Sequence, residues 1–498
     1  EKDEQADVVI VGAGIAGMTT AYMLASEGRS VVVLDDGPIG GGMTGRTTAH
    51  LVNALDDRYY ELERLHGADG ARLAAQSHTA AINRVEAIVN EEQIDCEFER
   101  LDGYLFVPPG DSKQQLEDEL KAVHRAGLTD IEMVERAPIK DFETGSCLRF
   151  PQQAQFHPLK YLTGLAGAIK RDGGRIYTGT HASKIEGGKA AHVETESGFV
   201  VKAGAIVVAT NTPVNDRFAI HTKQAPYLTY VIGARVPRGS VEKALYWDTP
   251  DPYHYIRTER GAKEQDFDVL IVGGEDHKTG QADDANRRFA VLERWTRARW
   301  PMIEGIEYRW SGQVMEPVDG LAFIGRNPLD DDNVFIATGD SGNGMTHGTI
   351  AGILLTDLIQ GRTNEWAEIY EPSRKTLKAL PEFAKENLNV AAQYADLVTP
   401  GDLDSADELK PGEGAIIRRG LAKVAAYRDE QGALHERSAV CVHLGCIVDW
   451  NSKEKTWDCP CHGSRYDALG KVFQGPANKD LKAVEESVED EHSGVEPE

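Results

Sequence analysis

Two short stretches hold most of the residues suited to binding a metal. Cys441-Val442-His443-Leu444-Gly445-Cys446 offers C-x-H, and Cys459-Pro460-Cys461-His462-Gly463-Ser464 offers C-x-x-H, with fifteen residues between His443 and Cys459. Four of the six cysteines fall between Cys441 and Cys461, and six cysteines in 498 residues rule out a disulfide scaffold. Two chemistries use such a set. A structural zinc ion takes two thiolates and two imidazoles in a tetrahedron. A two-iron, two-sulfide cluster takes the thiolates on one iron and the imidazoles on the other. The other cysteines, Cys96 and Cys147, stand alone and read as small buried hydrophobes.

The paired loops resemble those of Rieske [2Fe–2S] proteins. That resemblance implies that Cys441, His443, Cys459 and His462 bind the cluster, at about two iron per chain, and that Cys446 and Cys461 form the disulfide tying the loops of respiratory-type members. It also places Ser464 and Tyr466 where hydroxyls hydrogen-bond to a bridging sulfide and a ligand sulfur in high-potential members. Such bonds favour the electron-rich reduced cluster and argue for the upper half of the roughly −150 to +300 mV Rieske range. Gly475-Pro476-Ala477 resembles the loop that covers the third side of the cluster.

A second constellation lies at the other end. The apolar run Asp7-Val8-Val9-Ile10-Val11 leads directly into Gly12-Ala13-Gly14-Ile15-Ala16-Gly17. A helical pattern follows from Met18 to Ser26, capped by Gly28, and then a second apolar run, Val31-Val32-Val33-Leu34, ends at Asp35. This is the strand, glycine turn, helix and strand of a dinucleotide-binding unit. Gly12 allows the tight turn, Gly14 lets the backbone approach a pyrophosphate, and Gly17 allows close packing of helix on strand. The helix N-terminus favours the phosphates, and Asp35 is suited to the adenosine ribose hydroxyls.

Gly40-Gly41-Gly42-Met43-Thr44-Gly45-Arg46-Thr47-Thr48-Ala49-His50 is a further glycine-rich loop with a basic residue and hydroxyls, which NAD domains rarely carry. It resembles the FAD contact loop of the D-amino-acid oxidase and glycine oxidase superfamily. By that resemblance Arg46, Thr47 and Thr48 contact FAD and His50 lies close to the flavin. The strand ending at Ala209 and Thr210 is similar to the one before the family's FAD-contacting turn, and Ala182 is assigned to the cofactor with them. Asn333 to Thr346, before the apolar helix Ile350 to Ile359, looks like the closing FAD motif, with Gly339, Gly342, Asn343, Gly344, Met345 and Thr346 facing the flavin. The resemblance implies a mixed sheet over the flavin whose tyrosines line the substrate cavity. Tyr253, Tyr255 and Arg257 share one face of an alternating strand, with Val269 to Gly274 returning beside it, and His50, Tyr253 and Tyr255 are the candidate catalytic residues. One departure stands out: Val314 occupies the place where amino-acid oxidases of the family often carry an arginine that clamps the substrate carboxylate. An amine or an N-substituted amino acid is the expected substrate.

The elements that must position these residues form several domains, because one core stops growing at roughly 250–300 residues. The fold expected is α/β: a Rossmann-like FAD-binding domain (1–90, 150–215 and 320–362) interleaved with a mixed-sheet substrate domain (91–149 and 216–319). A helical connector (363–406) with one helix near Phe383 to Leu397 leads to a small all-β Rieske domain (407–498). The formal charge of −26 and the lack of a basic stripe exclude nucleic acid as a partner, and no apolar run is long enough for a membrane span. The opening Glu1-Lys2-Asp3-Glu4 lacks the pattern of a secretory signal, so the cytoplasm is expected. Together these features predict an FAD-dependent dehydrogenase that takes a hydride from an amine. Its electrons leave singly through the cluster, by His443 and His462, to a quinone, cytochrome or soluble carrier. Inward electron flow and a redox sensor or carrier without its own substrate are the alternatives.

Overall fold

The computed structural model describes residues 2–215, 220–262 and 264–484. The last four residues of strand Glu4–Val11 are buried, as expected of a strand covered on both faces. It pairs in parallel with Val31–Leu34 on one side and Val200–Val208 on the other. Arg175–Tyr177 and Val334–Thr338 extend the sheet in parallel, and Phe323–Arg326 closes one edge antiparallel. A hairpin, Ala182–Glu186 with His192–Thr195, completes the eight strands.

Helix Ile15–Ser26 makes the first crossover, and helix Gly344–Ile359 follows strand Val334–Thr338. The two pack closely because Gly348 and Gly352 lack side chains: a Cβ at either would collide with Ile15 or Thr19. Both helices are apolar almost all round and buried, so their place is fixed from several sides. Each begins just past the carboxyl end of a parallel strand, the edge at which such sheets bind ligands.

The second sheet has nine strands. Leu245–Asp248 runs parallel to Glu99–Phe106 and antiparallel to Tyr255–Glu259, so the sheet is mixed as expected. Tyr255–Glu259 pairs with Phe267–Lys278, which sets Tyr255 opposite Gly273. A side chain at Gly273 would occupy the space of the Tyr255 ring, so the glycine lets the aromatic lie across its neighbour. Tyr253 precedes the strand rather than belonging to it.

Two compact units emerge. The first comprises Glu1–Asn211, Leu228–Asp276 and Asn286–Ala379 and contains the eight-stranded sheet. The second comprises Thr212–Tyr227, His277–Ala285 and Leu380–Glu498. It begins its C-terminal stretch with helix Leu380–Gln393 and continues into a three-stranded sheet, Gly414–Arg419, Ala422–Arg428 and Leu434–Ser438. A four-stranded sheet follows: Asp449–Asn451, Thr456–Asp458, Arg465–Asp467 and Val472–Gln474. The architecture is thus the expected one, α/β with a mixed second sheet plus a small all-β stretch from Gly414 to Gln474, and helix Leu380–Gln393 groups with that stretch in the second unit. No helix among the described residues is long and apolar enough to cross a membrane.

The glycine turn has the least tolerance for added atoms. A Cβ at Gly17 would run into the carbonyl oxygen of Gly12, whereas one at Gly167, exposed on helix Pro158–Arg171, would meet nothing. Gly17→Ala should therefore lose about 1–3 kcal/mol of stability through overpacking against backbone, with a lower Tm and less bound flavin per chain. Gly167→Ala should be neutral or stabilise by about 0.5–1 kcal/mol. Thermal unfolding, read with the ratio of flavin to protein absorbance, checks both.

Candidate redox centres

The glycine turn and the two helix starts form one cradle. Gly12 has φ +109° and faces the Ala209 carbonyl so closely that a Cβ would collide with it, which draws the end of strand Val200–Val208 against the turn. Asp35 accepts from the Ala13 N–H at 2.6 Å and the Gly37 N–H at 2.8 Å, pinning both the turn and the following loop. Burial raises its carboxyl above the usual range. Gly14 and Asn343, which begin the two helices, make no side-chain cap, and neither first turn holds an acidic residue. The Ile15 N–H donates to Thr44 Oγ1 at 3.1 Å and Asp340 lies against Gly344, so the chain partly meets the positive end of each helix at the place where a pyrophosphate is expected. A Cβ at Gly42 would meet nothing, and one at Gly14 would touch only Thr44 Oγ1. Open glycine backbone at two positive helix ends fits the phosphates of FAD.

The loop Gly40 to His50 is fastened to the second sheet. Trp310 Nε1 donates to the Arg46 carbonyl at 2.8 Å, Arg46 Nη1 to the Ser311 carbonyl at 3.1 Å, and the Gln313 N–H lies 3.0 Å from the Met43 sulfur. Thr47 Oγ1 accepts from the Ala49 N–H at 3.0 Å. His50 is held at both nitrogens: Nε2 donates to the Ile256 carbonyl at 3.3 Å, which leaves Nδ1 to accept from Thr48 Oγ1 at 3.0 Å. Burial, with the charge of Arg257, depresses it to about 3, so it is neutral. Its ring packs edge-on to Tyr255 at 5.8 Å. His50 is thus suited to orienting Tyr255 and the loop, not to shuttling a proton. Among the closing-motif residues, Gly339 and Gly342 take φ of +73° and +71°. Asn343 Nδ2 donates to the Ser341 carbonyl at 3.0 Å, and Thr346 Oγ1 donates to the Val52 carbonyl at 3.1 Å, while Met345 is buried. Ala182 is buried opposite Thr195 at the head of its hairpin.

Beside the closing motif the structure gathers side chains that the motifs did not single out. Tyr253 donates its hydroxyl to Asp56 Oδ2 in a short bond, and both groups press against Gly342, where any side chain would clash with Asp56. The Tyr253 and Tyr255 rings stand 5.6 Å apart. Tyr255 shares a hydrogen bond of 2.7 Å with Thr229, which in turn hydrogen-bonds Asp276. Asp276 Oδ1 is buried without a hydrogen-bond partner. Burial raises Asp56 to about 7 and Asp276 to about 6, and the Tyr253 and Thr229 hydrogen bonds pull each partly back. Ser341 joins Asp57 at 2.7 Å to Glu316 at 3.0 Å, and burial raises both of those carboxyls as well. Two tyrosines flanked by two strained carboxyls make a cation-seeking wall. Asp56 looks in sequence like a turn residue beside Asp57, and Asp276 lies past the aromatic pattern, so no local signal marks either.

In the second unit the two ligand loops are built alike. In the first, the Cys441 N–H donates to the Cys446 carbonyl at 2.8 Å and the Gly445 N–H to the Cys441 carbonyl at 3.0 Å. In the other, the Cys459 N–H donates to the Ser464 carbonyl at 2.8 Å and the Gly463 N–H to the Cys459 carbonyl at 3.1 Å. Gly445 and Gly463 both sit at φ +81°, which a side chain would resist. Each loop thus turns back on itself and presents its Cys and His together. The second loop stands on a buried network: Arg465, fully buried, donates to Asp458 at 2.9 Å and Thr456 at 3.1 Å, and Asn451 holds the other Asp458 oxygen at 3.0 Å.

The donor geometry fits the cluster. The His443 and His462 rings are perpendicular, at 89°, with centroids 5.0 Å apart. The Cys441 and Cys459 thiols hydrogen-bond each other, which lowers Cys441 to about 6 and raises Cys459; an iron ion would need both as thiolates. Cys446 and Cys461 form the disulfide, with Cα atoms 6.4 Å apart. The sulfurs of Cys446, Cys459 and Cys461 lie within 4.8 Å of one another because the disulfide stands beside a ligand, not because a second metal set exists there. Tyr466, fully buried, places its hydroxyl 3.2 Å from Cys441 Sγ. Ser464 Oγ accepts from the Ala477 N–H at 3.0 Å, which ties the Gly475 to Ala477 loop down and leaves the hydroxyl proton for an acceptor on the cluster side. Tyr466→Phe with Ser464→Ala removes both hydroxyls and no ligand. The double variant should keep about two iron per chain, and its midpoint potential should fall; redox titration followed by EPR measures it.

The comparisons agree with this geometry. Residues 7–358 match the family of FAD dependent oxidoreductases, and residues 400–485 match the Rieske [2Fe-2S] domain. The chain is 34% identical over 495 residues to the Bacillus subtilis chain named Rieske 2Fe-2S iron-sulfur protein YhfW, covering 97% of this chain and 94% of that one. It is 28% identical to gamma-glutamylputrescine oxidoreductase of Escherichia coli, over 71% of this chain and 84% of the other. Glycine oxidase from Geobacillus kaustophilus shares the fold, with a TM-score of 0.63 at 18% identity over 75% of this chain and 99% of its own. With a dinucleotide cradle in one unit and a Cys₂His₂ cluster site in the other, the chain belongs to the FAD dependent oxidoreductases and carries a Rieske [2Fe–2S] domain in the same polypeptide.

Proposed function

We propose that the protein is a dehydrogenase that oxidises a cationic amine at the carbon next to nitrogen, releases the electrons one at a time through its Rieske domain to a quinone, cytochrome or soluble carrier, and works in the cytoplasm. The observation that carries this reading is the wall of Tyr253 and Tyr255 flanked by Asp56 and Asp276, set against Gly342 of the closing motif. The position of the carboxylate clamp is Val314. The arginines of the nearby motifs are turned to backbone carbonyls, Arg46 to Ser311 and Arg257 to Thr48. This favours an amine over an N-substituted amino acid. The relative that acts on gamma-glutamylputrescine is consistent with it.

FAD, when bound, supplies the hydride acceptor, and the cluster supplies a one-electron store. The chain's own residues prepare the amine. An ammonium group seated between Asp56 and Asp276 relieves the burial that raises both carboxyls and holds them ionised. Asp56 then takes the ammonium proton at its carboxylate, and the nitrogen lone pair thus freed stabilises the cationic carbon that hydride loss creates. Tyr253 keeps Asp56 oriented through its hydroxyl, and Tyr255, held by Thr229 and the edge of His50, forms the wall that excludes water. Because the carboxyls are neutral below about 6–7, amine affinity should weaken as pH falls through that range and recover above it.

Anaerobic mixing with amines, diamines, γ-glutamylated diamines, N-methyl amino acids and α-amino acids tests the reading. The expected result is flavin bleaching by amines lacking an α-carboxylate. Asp56→Asn should raise the amine Kd about ten- to a hundredfold, the equivalent of ~1.5–3 kcal/mol for a hydrogen bond to a charged group. Bleaching by α-amino acids alone, or unchanged amine affinity in Asp56→Asn, contradicts it.

A further inference from the structure

The turn that carries Asp56 ends on a strained residue. Arg58, just before the helix that starts at Tyr59, has φ +58° and ψ +144°. A residue with a Cβ that takes a positive φ settles at ψ of roughly +30 to +60°, so this backbone is held away from its resting conformation. Such strain persists only where the surroundings over-determine it. They do so here. The Arg58 N–H donates to the Leu55 carbonyl at 3.2 Å, and the Tyr59 hydroxyl to the Asn53 carbonyl at 2.7 Å. At the start of the helix, the Tyr59 and Tyr60 N–H groups donate to Glu119 Oε2 at 2.8 and 3.4 Å.

The side chain reaches two places from this posture. Arg58 is buried, with Nη1 donating to the Leu55 carbonyl at 3.2 Å and Nη2 to the Asp248 carbonyl at 3.3 Å. Asp248 ends strand Leu245–Asp248 and is itself buried. Its carboxylate accepts from the His254 N–H at 2.7 Å and lies 3.0 Å from His254 Nδ1. The His254 ring lies flat on Trp295, with centroids 4.0 Å apart. Before His254 comes Tyr253, whose hydroxyl donates to Asp56, two residues before Arg58. The bonds therefore close a circuit within the first unit, from Asp56 through Arg58, Asp248, His254 and Tyr253 back to Asp56.

We propose that Arg58 is a positioning residue of the amine site: its guanidinium fastens the turn that carries Asp56 to the strand that, through His254, carries Tyr253. The proton acceptor and the tyrosine that orients it are thereby set as one piece. This rests on the reading of Asp56 as the group that takes the ammonium proton, and it names the residue that holds that group ready. The charge acts in the same direction. Burial pushes the Asp56 carboxyl up, the Tyr253 hydrogen bond and the Arg58 charge draw it back, and the Asp57 and Asp276 charges push it up again. Glu316, on strand Gly305–Pro317, is a further carboxyl within reach of its charge.

Infrared titration of the amine-free holoenzyme reads the circuit without turnover, the Asp56 carboxyl band being identified by its loss in Asp56→Asn. In the parent the carboxyl should release its proton at a pH of about 7. Arg58→Met keeps the apolar stem and loses the charge and both bonds, so the midpoint should move up. Arg58→Lys keeps the charge and should leave the midpoint near the parent's. Flavin bleaching at saturating amine is the second readout: Arg58→Met should slow it about tenfold or more, because the proton acceptor is no longer aligned. Added to Asp56→Asn, Arg58→Met should slow bleaching no further, within about twofold, since two residues of one circuit do not act additively. Unchanged amine affinity in Asp56→Asn counts against the amine reading alone, and the infrared midpoint still answers for Arg58. If Arg58→Met loads no flavin, Arg58→Gln takes its place. A parent-like midpoint in the uncharged variant, a shift in Arg58→Lys as large as in Arg58→Met, or a full further loss on top of Asp56→Asn overturns the proposal.

Discussion

Burying a polar group without a partner costs several times what an ordinary hydrogen bond contributes, and both redox sites are arranged around that cost. Asp56 and Asp276 are carried into the interior, where a tyrosine and a threonine hydrogen-bond them, and burial still raises their carboxyls to about 7 and about 6. The N-cap residues Gly14 and Asn343 of helices Ile15–Ser26 and Gly344–Ile359 make no side-chain cap of their own. Cys441 and Cys459 lie buried against each other. Each of these sites suits a partner from outside the chain: a pyrophosphate at the helix starts, iron at the cysteines and, in the reading proposed above, an ammonium at the two carboxyls. Where no ligand is expected, the same fold supplies the main partners internally. Arg465, fully buried, is paired with Asp458 and Thr456, and Arg374, nearly so, is matched with Asp319 and the Leu321 and Ala322 carbonyls.

Holding such groups in place requires surroundings that do not yield. Glycine provides this at a few contacts, by letting backbone or side chain approach closer than any Cβ would allow. Gly17 lies against Gly12, Gly348 and Gly352 against the first helix, Gly273 under the Tyr255 ring, and Gly342 against Asp56. In the Rieske unit, Gly445 and Gly463 serve differently, by adopting the positive φ that closes each ligand loop. The matching hydrogen bonds of those two loops explain why a C-x-H and a C-x-x-H stretch, different in spacing, present equivalent ligand pairs.

What was legible in the sequence were features set by neighbours in the chain. The strand, glycine turn and helix from Glu4 to Ser26, the paired Cys and His stretches and the helix near Phe383 all announce themselves in runs of a few residues. The structure begins the first helix at Ile15 and the helix after strand Val334–Thr338 at Gly344, earlier than the apolar pattern alone suggested. Tyr253 falls outside the strand that alternation placed it on. Hidden from sequence was everything that depends on distant pairing. Asp56 meets Tyr253 across the fold, Thr229 bridges Tyr255 and Asp276, and His221 comes to the ligand imidazoles from a stretch with no periodicity. Nor does composition reveal that residues 212–227 and 277–285 cluster with the C-terminal domain, since that follows from contacts such as Asn387 with Thr222 and Gln281 with Asn389.

The account stands or falls on whether two redox centres in one chain act in series. Tyr466 beside Cys441, and Ser464 with its proton free to donate, argue for a cluster that accepts electrons readily. Limiting reductant added anaerobically to the loaded holoenzyme, with flavin absorbance and the reduced-cluster EPR signal recorded on the same samples, tests this most directly. Electrons should appear first on the cluster, with the flavin still largely oxidised, whether an amine substrate or dithionite delivers them. A flavin that bleaches completely while the cluster stays oxidised over many turnovers would contradict the account.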